Sequence, residues 1–452
     1  MDNLNDIIVG ISTAYQEGAI SIIRLSGNGC IELVDQIFKG HNLTKAISHT
    51  IHYGYIIDNN EIIDEVLVSV FRAPKTYTKE DIVEINCHGG IFITNKIYEI
   101  ILTKGARSAS RGEFTKRAFL NGRIDLTEAE AVMDMIRAES NSSARLASKG
   151  LCGDIKRCVN SLRERLLDVI AVISVNIDYP EYDDVQMLTT TEILPNIESI
   201  YNELNNLLAN SKSAKYLKNG LDTAIIGLPN VGKSSLLNAI LEDEKAIVTN
   251  IPGTTRDLVE AKINLGNITL NLIDTAGIRE TNDLVEQIGV NKSIEALKKA
   301  EFVLMVLDGS KNLSQEDGEL LELIKDKKHI IVINKRDLGL VLDPNQFSNS
   351  IAITTTSQED LNQLKQLITS VVELEKLDNK DITLISNARQ IEKLSLAEEA
   401  LKEALNEIND NLYIDFIELY LRKAWMYLGE IIGETSTEDL LNELFSKFCL
   451  GK

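Results

Sequence analysis

Eight residues limit what this chain can fold into more than any others. Gly227-Leu228-Pro229-Asn230-Val231-Gly232-Lys233-Ser234 has the spacing G-x-x-x-x-G-K-[ST], follows the apolar run Thr223-Ala224-Ile225-Ile226, and leads into the helix-forming Ser235-Leu236-Leu237-Asn238-Ala239. Strand, glycine-rich loop and helix in that order aim backbone N–H groups and a helix N-terminus at one point, which suits phosphate. Lys233 then reaches terminal phosphates, and the Ser234 hydroxyl is placed for Mg²⁺. Around this loop, Leu270-Asn271-Leu272-Ile273, Phe302-Val303-Leu304-Met305-Val306-Leu307 and Ile330-Ile331-Val332-Ile333 alternate with helical stretches, the pattern of a doubly wound parallel sheet.

Two further loops sit at strand ends, where a nucleotide site requires them. Asp274-Thr275-Ala276-Gly277 offers a carboxylate to the Mg²⁺ shell and a glycine N–H to a γ-phosphate. Asn334-Lys335-Arg336-Asp337 offers a carboxylate that accepts two N–H groups from guanine, a pair adenine lacks, so GTP is expected over ATP. The set resembles the translation-factor-related GTPases. In that resemblance Ile251-Pro252-Gly253-Thr254-Thr255-Arg256-Asp257 looks like the first switch, with Thr255 the second Mg²⁺ ligand, and Thr249 and Asn250 join it among the GTP-binding residues. After Gly277 stands Ile278, which cannot orient water as the glutamine of Ras-like enzymes does, so hydrolysis must use another group.

The remaining chain predicts four segments. Residues 1–120 mix short β-rich runs such as Ile20–Leu25 and Val66–Phe71 with Gly and Asn turns and read as an α+β domain. Residues 121–216 turn helical: Thr127 and Glu130 have capping-box spacing, and Leu162, Leu166, Val169, Ile170 and Ile173 share a helical face, as do Ile197, Ile200, Leu204, Leu207 and Leu208 after a break at Asp178–Asp184. Residues 217–378 hold the α/β nucleotide unit. Residues 379–452 return to helix through Leu394, Ala397, Leu401, Ala404 and Ile408, then Ile417, Tyr420, Leu421, Ala424 and Leu428. The expected fold class is therefore α+β multidomain, with an α/β P-loop GTPase domain inserted into an all-α domain.

Of 452 residues, 44% are apolar and 25% charged, which fits a globular chain without transmembrane runs. The first residues lack a signal peptide's basic and apolar regions, so a cytoplasmic location is expected. Cys30, Cys87, Cys152, Cys158 and Cys449 are odd in number and scattered, against a disulfide framework or zinc site. A net charge of −21 excludes a general phosphate-binding surface. Within it, however, Lys104, Arg107, Arg111, Lys116, Arg117 and Arg123 face one acid, Glu113, and predict a local basic segment.

Elements outside the nucleotide unit narrow the resemblance. Ile22-Ile23-Arg24-Leu25-Ser26-Gly27, Gly112-Glu113-Phe114-Thr115-Lys116-Arg117-Ala118-Phe119-Leu120-Asn121-Gly122-Arg123 and the terminal Cys449-Leu450-Gly451-Lys452 resemble the MnmE (TrmE) family of tRNA modification GTPases along the whole chain. The resemblance implies a folate-binding, dimerising N-terminal domain and a discontinuous helical domain. It implies GTP hydrolysis coupled to carboxymethylaminomethylation of the tRNA wobble uridine with an FAD-dependent partner, MnmG. It further implies 5-formyl- or 5,10-methylene-tetrahydrofolate at Arg24, Glu84, Arg123 and Lys452. K⁺ in place of an arginine finger is implied at Asn230, Thr249, Ile251 and Thr254, with a water-orienting Glu286. Taken alone, Glu286 is more simply a solvated helix glutamate, and Arg24 and Glu84 are each more simply part of some ion pair or of a solvated face. Cys449 is catalytic on the family reading, although a free cysteine is more often inert. The guanine-contacting Ser-Ala of the family is replaced by Thr354-Thr355. Two competing classes are a regulatory or ribosome-assembly GTPase, whose common KH module is not matched by Gly150-Leu151-Cys152-Gly153, and an ATP-using kinase, opposed by Asp337.

Overall fold

The computed structural model describes residues 6–178, 193–243, 259–265, 268–273, 297–372, 384–409, 414–448 and 451. It divides into two compact units, Met1–Met133 with Leu151–Val159 and Gly429–Lys452, and Asp134–Gly150 with Asn160–Leu428.

In the first unit, strands β1 (Ile8–Ile11), β2 (Ile20–Ser26), β3 (Phe38–Gly40), β4 (Thr50–Asp58), β5 (Glu61–Phe71), β6 (Ile82–His88) and β7 (Arg107–Ser108) form a seven-stranded sheet in the order β3-β4-β5-β6-β2-β1-β7. Neighbours are antiparallel except β1 and β7. Asn59 and Asn60 both take positive φ, 47° and 68°, which is why a two-residue turn can join β4 to β5.

Strand alternation sorts the side chains. Val9, Ile23, Leu25, Val68, Val70, Val83 and Ile85 enter a core covered by α1 (Cys30–Asp35) and α2 (Ile91–Thr103). Each such side chain contributes roughly 1.5–3 kcal/mol on burial, so a one-residue slip is excluded. The opposite face carries the aligned row Ser69, Glu84, Arg24 and Gly10.

Helix α3 (Glu113–Leu120) is fixed by charge. Arg117, 1% exposed, pairs with Asp6, with Glu80 at 3.3 Å and with Glu113 at 3.4 Å; Arg107 pairs with Asp6 at 2.6 Å and Glu113 at 2.5 Å. The basic segment expected at 104–123 is therefore smaller than its sequence suggests, because Asp6 and Glu80 arrive from outside it to neutralise Arg107 and Arg117. Burial works to raise the Asp6 and Glu113 carboxyls, yet the arginine hydrogen bonds outweigh it and hold both below the usual carboxylate range.

Helix α4 (Leu126–Ile136) shows a second correction. Asp125 Oδ1 accepts from Glu128 N at 2.8 Å and Glu128 Oε2 accepts from Asp125 N at 2.8 Å, so the capping box is Asp125/Glu128 and the Thr127 hydroxyl merely donates to Asp125. The chain continues through α5 (Asn141–Leu151) and α6 (Asp154–Asp178), α7 being Leu194–Asn219.

In the second unit, β8 (Leu221–Ile226), β9 (Val259–Leu265), β10 (Ile268–Ile273), β11 (Phe302–Asp308), β12 (Lys328–Asn334) and β13 (Ser350–Ala352) form a six-stranded sheet in the order β13-β12-β11-β8-β10-β9. It is parallel as expected, with one antiparallel edge, β9 on β10. Helix α8 (Lys233–Asp243) follows β8, α9 (Gln315–Ile324) follows β11 and α10 (Gln358–Val371) follows β13. The helices α11 (Ala388–Asn409) and α12 (Ile414–Ile432) bury the periodic residues Leu394, Ala397, Leu401, Ala404, Ile417, Leu421, Ala424 and Leu428. Helix α13 (Glu438–Ser446), in the first unit, turns Leu441 and Phe445 onto Leu126, Ala129 and Met133. Among the described residues no helix is long and apolar enough to cross a membrane.

Candidate functional site

The nucleotide loop runs from the end of β8 to the start of α8, and its shape is dictated by two glycines. A Cβ on Gly227 would lie 2.3 Å from the Val306 carbonyl oxygen at φ +148°, and one on Gly232 would lie 2.1 Å from Asn334 Nδ2 at φ +101°. Asn230 between them also takes positive φ, 62°. Lys233, half-buried, donates to the carbonyls of Gly227 at 2.9 Å and Leu228 at 2.7 Å, closing the loop on itself, and burial pulls its ammonium below the ordinary lysine pKa. Ser234 and Ser235 are exposed on the first turn of α8.

The loop after β12 is bolted to this one. Buried Asn334 donates Nδ2–H to the Val231 carbonyl at 2.9 Å, and Lys335, at φ 64°, donates to the Asn230 carbonyl at 2.7 Å. Lys335 also pairs with Asp308 at 2.7 Å. Burial works to raise the Asp308 carboxyl, but hydrogen bonds from Lys335 and Ser310 hold it below the ordinary value. Asp308 was missed in the sequence; its only signal is a carboxylate at the end of an apolar strand. Asp337 lies exposed on the 3₁₀ turn Arg336–Leu338. The Thr354 N–H donates to buried Asp360 at 2.7 Å, and Asp360 also pairs with Arg336 at 2.9 Å.

Thus Asn230, Val231, Gly232, Lys233, Ser234, Ser235, Asn334 and Lys335 meet in one place. The expected residues Thr249–Thr255, Asp274–Gly277 and Glu286 lie outside the described residues, as do Cys449 and Lys452.

A second set of expected residues meets in the first unit. Arg24 Nε and Glu84 Oε1 are 2.7 Å apart, side by side on β2 and β6. Two guanidiniums lie over the Tyr77 ring, with Arg24 Cζ 5.6 Å and Arg123 Cζ 4.7 Å from its centroid. A cavity of about 500 Å³ opens here, lined in part by Glu84, Arg123, Tyr77 and Phe71. Gly451 docks beside Gly10, the strand partner of Arg24: its carbonyl accepts from Ser12 Oγ at 3.1 Å, and at φ +85° a Cβ would meet the Ile11 carbonyl at 2.2 Å. Only glycine allows this approach.

Strand, phosphate loop, helix and an attached guanine-type loop on a mixed parallel sheet define a P-loop GTPase. Beyond that class, the family model "MnmE helical domain" matches residues 126–449 and "GTP-binding protein TrmE N-terminus" matches residues 7–123. The tRNA modification GTPase MnmE of Lactococcus lactis is 50% identical over 448 residues, covering 99% of this chain and 98% of its own. That of Enterococcus faecalis is 47% identical over 457 residues, covering 99% and 98%. The G domain of the T. maritima FeoB iron transporter is 28% identical over 33% of this chain and 96% of its own, at a TM-score of 0.25, too slight to carry an argument. The chain belongs to the MnmE family of tRNA modification GTPases.

Proposed function

We propose that this chain hydrolyses GTP and, with the FAD-dependent partner MnmG, builds the carboxymethylaminomethyl group at C5 of the tRNA wobble uridine, taking one carbon from 5-formyl- or 5,10-methylene-tetrahydrofolate. The observation that carries this reading is the cavity beside the Arg24–Glu84 pair, because a nucleotide switch without folate chemistry has no use for it.

In the GTPase unit, Lys233 leaves its two carbonyls for the β- and γ-phosphates, and Ser234 with Thr255 holds Mg²⁺. Asp337 reads guanine. With the Thr354 N–H engaged by Asp360, backbone contact to the base falls to Thr355. The exposed Asn230 side chain fits an oxygen ligand for K⁺, with Thr249, Ile251 and Thr254 completing the set. Bound K⁺ would offset charge developing between the phosphates. Glu286 orients the attacking water, filling the part that Ile278 cannot.

In the first unit, Glu84 accepts from the pterin edge while its pairing with Arg24 fixes its position, and Arg123 and Lys452 take glutamyl carboxylates. Exposed Ile20, Ile51, Tyr53 and Leu67, on the sheet face shared with Arg24, support a homodimer formed across it. We place the domain boundaries at 1–120, 121–216, 217–378 and 379–452, and the protein in the cytoplasm.

The test is reconstitution. Purified chain, the FAD-dependent partner, GTP, Mg²⁺, K⁺, methylene-tetrahydrofolate, ammonium or glycine, and unmodified tRNA should yield the modified nucleoside. Omitting folate, or exchanging K⁺ for Na⁺, should abolish or sharply slow its formation. Equal yield without folate would overturn the reading.

A further inference from the structure

The cavity's charge is out of keeping with the rest of the protein. Lys75, Lys79 and Arg123 line it, against one acid, Glu84, which is already paired with Arg24. In a chain of net charge −21 this concentration is unusual, and it differs from Arg107 and Arg117, whose charges are met by Asp6, Glu80 and Glu113. Here Lys79 and Arg123 are held in place without acids. Lys79 donates to the Gly122 carbonyl at 2.9 Å, and Arg123 lies over the Tyr77 ring. Lys75 is exposed and has no ion-pair partner among the described residues. Lys75, Lys79 and Tyr77 all come from the loop between β5 and β6, so one segment supplies both the aromatic wall and the charge. Phe71, Pro74 and Ile82 complete an apolar side.

Resting on the folate reading above, we infer that this cavity is built for a folate with a poly-γ-glutamyl tail. A single glutamyl residue brings two carboxylates. Every further γ-linked residue adds one more, and only the longer tail has enough negative charge to engage Lys75 and Lys79 as well as Arg123. A cavity of about 500 Å³ lies within the roughly 300–1,000 Å³ of small-molecule sites and takes the pterin and aryl groups, leaving the tail on the charged rim. Rim ion pairs are individually weak, so two of them give an advantage of about 2- to 30-fold, lost in salt.

The experiment is calorimetric titration of the full chain with the mono- and triglutamate forms of 5-formyl-tetrahydrofolate, at low and high salt. The triglutamate should bind about 2- to 30-fold tighter at low salt, and the ratio should shrink as salt rises. In the double variant Lys75→Ala/Lys79→Ala the ratio should fall toward one, whereas Lys75→Arg/Lys79→Arg should keep it; circular dichroism checks that each variant folds. Equal affinity of wild type for the two forms would overturn this inference and leave the folate reading standing. Binding of neither form would overturn both.

Discussion

Asn334→Ala isolates what the attachment between the two nucleotide loops contributes. The Asn334 amide is buried and its Nδ2–H meets the Val231 carbonyl at 2.9 Å, in the space left by the missing Cβ of Gly232. Alanine orphans that carbonyl in a place water reaches poorly, which costs about 1–3 kcal/mol. Lys335 still holds the Asn230 carbonyl at 2.7 Å, so the loop loosens without unfolding. The loop must then be reordered when nucleotide binds, and at about 1.4 kcal/mol per decade the GTP dissociation constant should rise about 5- to 150-fold. Fluorescent-nucleotide titration measures it, with thermal melting alongside. Asp308→Ala, which only frees Lys335 on one side, should have the smaller effect. If Asn334→Ala melts earlier yet binds GTP within twofold of wild type, the amide supports the fold alone and the reasoning about the loop is refuted.

Three further outcomes are expected. Asp337→Asn should shift preference from GTP toward xanthosine triphosphate, whose base presents the complementary pattern; unchanged GTP preference in competition binding removes the guanine assignment. Glu286→Ala should cut turnover while leaving GTP affinity near wild type, and comparable loss of both would make it a structural residue. His88 donates to Asp64 at 2.7 Å, and that hydrogen bond lifts the imidazole above its ordinary 6.5. With the folded pKa above the unfolded one, the pair's stabilisation is complete below about pH 6.5 and fades as pH rises through the folded value. His88→Gln should flatten the melting temperature over that window, and an unaltered pH profile would show that the pair adds nothing.

What could be read from the sequence was what is local. The phosphate loop, the strands at Thr223–Ile226, Phe302–Leu307 and Ile330–Ile333 and the helical faces around Leu394 and Leu421 declare themselves through spacing within a dozen residues. The resemblance of short motifs named Arg24, Glu84 and Arg123, but nothing in the chain's order says that Arg24 and Glu84, sixty residues apart, lie opposite each other, because antiparallel register is set by the whole sheet. Arg107 and Arg117 were misjudged for the same reason, since their partners Asp6 and Glu80 are distant in sequence. The capping box slipped by two residues because Asp125 and Thr127 are both good caps and only the backbone decides between them. Asp308 had no motif, and the unquenched charge around Lys75 becomes visible only once the β5–β6 loop folds over the cavity.

The central claim is that this chain takes part in remaking the tRNA wobble uridine. Nucleoside analysis of tRNA from a strain lacking it tests that most directly. The account predicts that the 5-carboxymethylaminomethyl derivatives disappear and return when the wild-type chain, but not the Glu286→Ala variant, is restored. Undiminished wobble modification in the deletion strain would contradict it.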